Sequence, residues 1–149
     1  MSIKNLFTCG DKKKRISHVR NLVSLAYTDG VMSPEEQEII LQIAERSGMT
    51  QEELDFVMEK PDEIKFYVPR KTSDRIEEIY DMVTLMMIDG GISDQEMLLC
   101  KLVAEKMHFD PVVIDVMIDD IVDMIARDIV FEAGVQKIMD KAGIPSNKD

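Results

Sequence analysis

Asp29-Gly30-Val31-Met32-Ser33-Pro34-Glu35-Glu36 returns sixty positions later as Asp89-Gly90-Gly91-Ile92-Ser93-Asp94-Gln95-Glu96. Both copies read Asp-Gly-x-apolar-Ser-x-x-Glu, both follow an apolar run with helical spacing, and both open another. A helix entering Asp29-Gly30 stops there, because glycine reaches left-handed backbone angles without a steric penalty. Ser33 then stands where a helix N-cap belongs. Glu36, three positions on, can accept from the Ser33 amide while the serine oxygen accepts from the Glu36 amide, a capping box worth about 1 kcal/mol at the serine. Pro34 and Glu35 suit the first turn, where no partner amide is lost and a carboxylate meets the positive helix end. Ser93, Asp94 and Glu96 repeat the arrangement, so each copy reads as helix, tight turn and capped helix.

The similarity runs past the turns. Val23 matches Val83, Leu25 matches Leu85, Ala44-Glu45 matches Ala104-Glu105, and Asp55 matches Asp115. Self-similarity at a fixed period marks a duplicated supersecondary unit. Its expected bounds are about 16–58 and 76–118, joined by a connector at about 59–73. Helical spacing is kept by Ile16, Val19, Leu22, Val23 and Ala26, and again by Ile39, Ile40, Ile43 and Ala44. Gly48 ends that second helix, and Thr50 with Glu53 caps a short third one through Met58. Pro61 and Pro69 bracket the connector, with room for one helical turn.

The second half restarts near Ser73 or Asp74, and Ile76, Ile79, Tyr80, Val83, Leu85, Met86, Met87 and Ile88 make its first helix too apolar to be exposed. Met97, Leu98, Leu102, Val103 and Met107 supply the next. Asp110-Pro111 caps a helix to about Met124 or Arg127, with Ile114, Val116, Met117, Ile121 and Ile125 as its core side, and a last helix reaches about Lys141. The C-terminal helices thus span about 111–142. No alternating run is long enough for a sheet. The fold class is all-α: a single compact helical domain of about seven helices built from a duplicated helix-turn-helix unit, matching the size of a 149-residue chain with 45% hydrophobic content.

With 29 acidic against 18 basic residues the net charge is -11, which argues against a nucleic-acid surface. Cys9 and Cys100 lie far apart without CxxC spacing, so neither a disulfide framework nor a zinc site is signalled. No apolar region precedes Leu6-Phe7-Thr8-Cys9, which argues against a lipoprotein signal, and no stretch approaches a transmembrane segment. The expected location is cytoplasmic. Lys12 to Arg15 form a basic run that leaves peripheral membrane association open.

The acidic turns invite a test as calcium loops. With Gly30 at loop position 6, Leu25 and Tyr27 would hold positions 1 and 3, and Leu85 and Met87 fail in the same way in the second copy. These are not EF-hands. Asp29, Glu36, Asp89 and Glu96 still place carboxylates on both sides of each turn and are candidate ligands for a divalent cation, calcium, magnesium, manganese or zinc. The alternative is that they only cap helices. Asp115, Asp119 and Asp123 share one helix face with Asp120 beside them, a candidate docking surface for a basic protein partner. The twelve methionines, Met82, Met86, Met117 and Met124 among them, fall mostly at core spacing. His18 and His108 have no second histidine or cysteine at ligand spacing and no nearby nucleophile, which gives them structural roles. There is no phosphate loop, GxSxG or HExxH, so an enzyme is not expected.

Leu25-Ala26-Tyr27-Thr28-Asp29-Gly30-Val31-Met32-Ser33-Pro34-Glu35-Glu36, followed by Ile39-Ile40, resembles the signature of the TerB-like family, helical domains named after tellurite resistance proteins and also found attached to some J-domain co-chaperones. Leu85 through Glu96 resembles the matching half. The resemblance covers about Ile16 to Met139. It implies an all-helical domain of two related bundles, a cytoplasmic, often membrane-proximal bacterial setting, an acidic metal site at Asp29, Glu36, Asp89 and Glu96, and stress-response complexes. Gly91 stands where the first copy has Val31, which loosens the second turn. The functional expectation is a non-catalytic helical binding module that docks a protein partner and binds a divalent cation. The alternatives are a metal-dependent hydrolase using the motif carboxylates and a structural interaction domain without ligand.

Overall fold

The computed structural model describes residues 9–28, 30–88 and 92–144, with side chains from Lys12 onward. Every regular element among them is helical: α1 (Cys9–Ala26), α2 (Pro34–Arg46), α3 (Gln51–Glu59), a 3-10 turn (Pro61–Glu63), α4 (Thr72–Met87), α5 (Asp94–Lys106), α6 (Pro111–Ala126) and α7 (Phe131–Lys141). The all-α reading is met. The chain divides into two compact units, the first ending at Tyr67 and the second beginning at Val68. That division falls inside the stretch bracketed by Pro61 and Pro69.

In the N-terminal unit α1 packs against α2 and α3. Val19, Leu22, Val23, Leu25 and Ala26 bury one side of α1 with Ile40, Ile43 and Ala44 of α2 and Leu54 and Val57 of α3. Arg15 ties α1 to α3 through Glu53, donating from Nη2 to Oε2 at 3.3 Å, and Lys12 lies 3.9 Å from the same oxygen. Part of the basic run is thereby answered within the chain. The Tyr67 amide donates to Ser17 Oγ at 3.0 Å and Arg20 donates to the Ile64 carbonyl at 2.9 Å, which holds the end of the connector on α1.

The C-terminal unit packs α4 against α5, α6 and α7. Ile76, Ile79, Met82, Val83, Leu85 and Met86 line the buried side of α4, meeting Cys100, Val103 and Ala104 from α5 and Ile114, Met117, Ile118, Ile121 and Met124 from α6. Met82, Met86, Met117 and Met124 are core residues, as their spacing suggests. Arg75 donates to the Met107 carbonyl at 3.0 Å and lies 5.6 Å from the Phe109 ring centre, and Tyr80 meets Phe131 edge-on at 5.4 Å. Burial pushes the Cys100 thiol up from 9.0 to about 12, so it is an inert apolar filler. Among the described residues no helix is long and apolar enough to cross a membrane.

Val116, assigned by spacing to the core side of its helix, is corrected, and two apolar residues of α5 join it at the surface. Leu98, Leu102 and Val116 follow the apolar pattern of their helices, yet they are 60%, 45% and 37% exposed. They lie on the sides of α5 and α6 opposite Cys100, Val103, Ile114 and Met117, which are the sides covered by neighbouring helices.

Candidate functional site

The capping boxes form as the motif requires. Ser33 Oγ accepts from the Glu36 amide at 3.0 Å while Glu36 Oε1 accepts from the Ser33 amide at 2.9 Å; in the second copy Ser93 and Glu96 make the same pair at 3.1 Å each. Thr50 and Glu53 form a third box, and Asp110 Oδ1 accepts from the Val112 amide at 3.0 Å. Glu36 is buried and Glu96 half-buried. Each has one carboxylate oxygen engaged by its cap. Asp29 and Asp89, with Gly90 and Gly91, lie outside the described residues, so the other half of the proposed cation set has no geometry here. Among the described residues no group of three His, Cys, Asp or Glu side chains is placed to hold a metal ion.

The helix ends carry the repeat as well. Gly48, at φ 78°, ends α2, and the Met49 amide reaches back to the Ala44 carbonyl at 3.0 Å. Sixty positions on, His108 takes the same left-handed conformation at φ 70°, and the Phe109 amide bonds the Ala104 carbonyl at 3.2 Å. This is the Schellman closure of a helix C-terminus. His108 thus has a structural role, at a conformation that disfavours side chains.

The aspartates of α6 divide. Asp115, Asp119 and Asp123 are exposed, and Asp120 is half-buried. Lys101 of α5 pairs with Asp115 at 2.9 Å, Lys141 of α7 with Asp120 at 2.9 Å, and Arg127 with Asp123 at 3.1 Å. The Lys141 ammonium is held above its usual range by its hydrogen bond to Asp120 and the charge of that carboxylate, with Asp123 and Asp119 adding to it. Asp120 therefore serves to tie α7 to α6. Solvent screens the pairs at Asp115 and Asp123, which leaves these outer carboxylates in contact with water.

What spacing did not reveal is the company these carboxylates keep. Val112 is 77% exposed, and with Val116 it flanks Asp115 on α6; Leu98 and Leu102 form a like pair on α5, on either side of Lys101 in sequence. The Lys101–Asp115 bridge links the two helices. At the equivalent positions the N-terminal unit has Glu38, Gln42 and Glu52, all exposed, with Gln42 donating to Glu38 at 3.3 Å; only Val116 has an apolar counterpart, Phe56. The internal repeat held the signal, in the change from polar to apolar at matched surface positions.

The repeat also matches a buried polar set. His18 and Asn21 on α1 and Glu78 and Asp81 on α4 are buried, at matched positions of the repeat. His18, Glu78 and Asp81 each take part in a polar or electrostatic interaction, as buried ionisable groups must. No family model, curated protein or solved structure matches this chain.

Proposed function

We propose that the chain is a non-catalytic helical binding module that docks a protein partner through the outer face of α6. One observation carries this reading: the exposed carboxylates Asp115, Asp119 and Asp123 share that face with exposed Val112 and Val116. Apolar side chains bordered by charge are the composition of a partner-binding surface, where the first supply adhesion and the second orientation. The biological setting we propose with it is the one implied by the TerB-like resemblance, bacterial stress response. The two capping boxes and the all-helical architecture support that choice.

A photo-crosslinking residue placed at Val112, in cells that make the protein natively, tests the docking reading. The expected result is a discrete adduct whose second component is another protein, with none from the equivalent Glu52 position. Absence of an adduct at Val112, or equal adducts at both sites, overturns it.

A further inference from the structure

We propose that the α5–α6 face takes a cationic amphipathic helix, with Leu98 and Leu102 on one flank and Val112 and Val116 on the other gripping its apolar side. The inference rests on the docking reading and names its occupant. Apolar side chains in i, i+4 pairs on two adjacent helices match the i, i+3, i+4 anchors that a helix presents to a helical surface. Sequence places Asp94 and Glu105 beside the leucine pair, and Asp115 and Asp119 beside the valine pair, all exposed. Against these four carboxylates stand Lys101, engaged by Asp115 at 2.9 Å, and exposed Lys106, which continues the leucine stripe, so acid outnumbers base at the border of the patch.

That border selects the occupant. A second copy would bring the same carboxylates against each other and add its own net charge of -11, an unfavourable juxtaposition at both short and long range. An anionic membrane surface is opposed in the same way. A helix with lysine or arginine flanking its apolar stripe reverses every one of these terms. The bare side chains of Leu98 and Val112 would be desolvated at its centre, with charge pairs at the rim setting orientation and association rate.

The test uses the full chain and three labelled synthetic peptides: leucine and lysine with the leucines on one helical face, the same composition scrambled, and leucine with glutamate in the amphipathic order. Saturable binding is expected for the first, weakened about ten-fold or more by Leu98→Gln/Leu102→Gln. Asp115→Asn/Asp119→Asn should weaken it several-fold at low salt and less at high salt. Both variants change exposed residues, and retained helical circular dichroism confirms their folding. Equal binding of the scrambled peptide overturns the proposal by reducing the face to charge alone. Equal binding of the glutamate peptide, or no binding of the leucine-lysine peptide, overturns the choice of occupant. Self-association seen by sedimentation and abolished by Leu98→Gln/Leu102→Gln makes the occupant a second copy and also overturns it. An adduct at Val112 in cells, together with any of these failures, leaves the docking reading standing with a different partner; absence of the adduct removes both.

Discussion

The two units share an interior and differ in their surface. Every apolar residue buried among those described in the N-terminal unit has a buried apolar counterpart sixty positions on: Leu22 and Met82, Val23 and Val83, Leu25 and Leu85, Ile43 and Val103, Leu54 and Ile114, Val57 and Met117 are examples. The N-caps coincide, Ser33 with Ser93 and Thr50 with Asp110, and so do the left-handed ends, Gly48 with His108. On the outer faces Glu38, Gln42 and Glu52 become Leu98, Leu102 and Val112. The second unit also extends α6 and adds α7, held by Lys141 on Asp120 and by the packing of Gly134 against Met124. Close packing keeps each matched buried position apolar although many change identity, whereas a side chain in solvent is free to become polar or apolar. Outside, the change of Glu38, Gln42 and Glu52 to apolar residues, beside that of exposed Leu41 to Lys101, gives the C-terminal unit a surface of different composition from its counterpart.

Three measurements test the contrast between the units. The largest effect is expected in the shared interior: Leu22→Ala and Met82→Ala, both at fully buried sites, should each lower the free energy of unfolding by about 2–5 kcal/mol in denaturant titrations. A loss at one site only would show that the two cores are not equivalent despite their alignment. A smaller effect is expected at the left-handed ends. His108→Gly should raise stability by about 1 kcal/mol, because the αL conformation disfavours a Cβ, while Gly48→Ala should lower it by about the same amount. Equal and opposite changes in thermal unfolding would establish the two closures as one device with different residues. The smallest effect belongs to the divergent surface: Leu98→Gln and Val112→Thr should each stay within about 0.5 kcal/mol of the parent. A larger destabilisation would mean that these side chains support the fold, and the contrast between the units would lose its functional meaning.

Much of the architecture was legible because its instructions are short-range. The motif serines and glutamates meet within three residues of one another, and Gly48 acts through its own backbone angles, so no knowledge of the tertiary fold is needed to read them. His108 hid the same closure, since nothing in a histidine announces a left-handed conformation; only its alignment with Gly48 does. The final break near Arg127 is a similar case, with Asp128 at φ 57° and the Ile129 amide returning to the Met124 carbonyl at 2.9 Å. At the candidate cation site, Glu36 and Glu96 were legible as caps, and Asp29 and Asp89 fall outside the described residues.

Sequence alone determined the helices, their caps, the sixty-residue repeat and the excess of acid, because each follows from residue identity and from partners within a turn or two of the chain. It could not determine which apolar stripe meets a neighbour. Leu98, Leu102 and Val116 obey the helical period as faithfully as Cys100, Val103 and Met117, and periodicity is blind to what lies across the gap. Tertiary packing decided it: the neighbouring helices of the C-terminal unit cover one side of α5 and α6 and leave the other in water, and that uncovered side is where the carboxylates of α6 and their apolar neighbours become a surface.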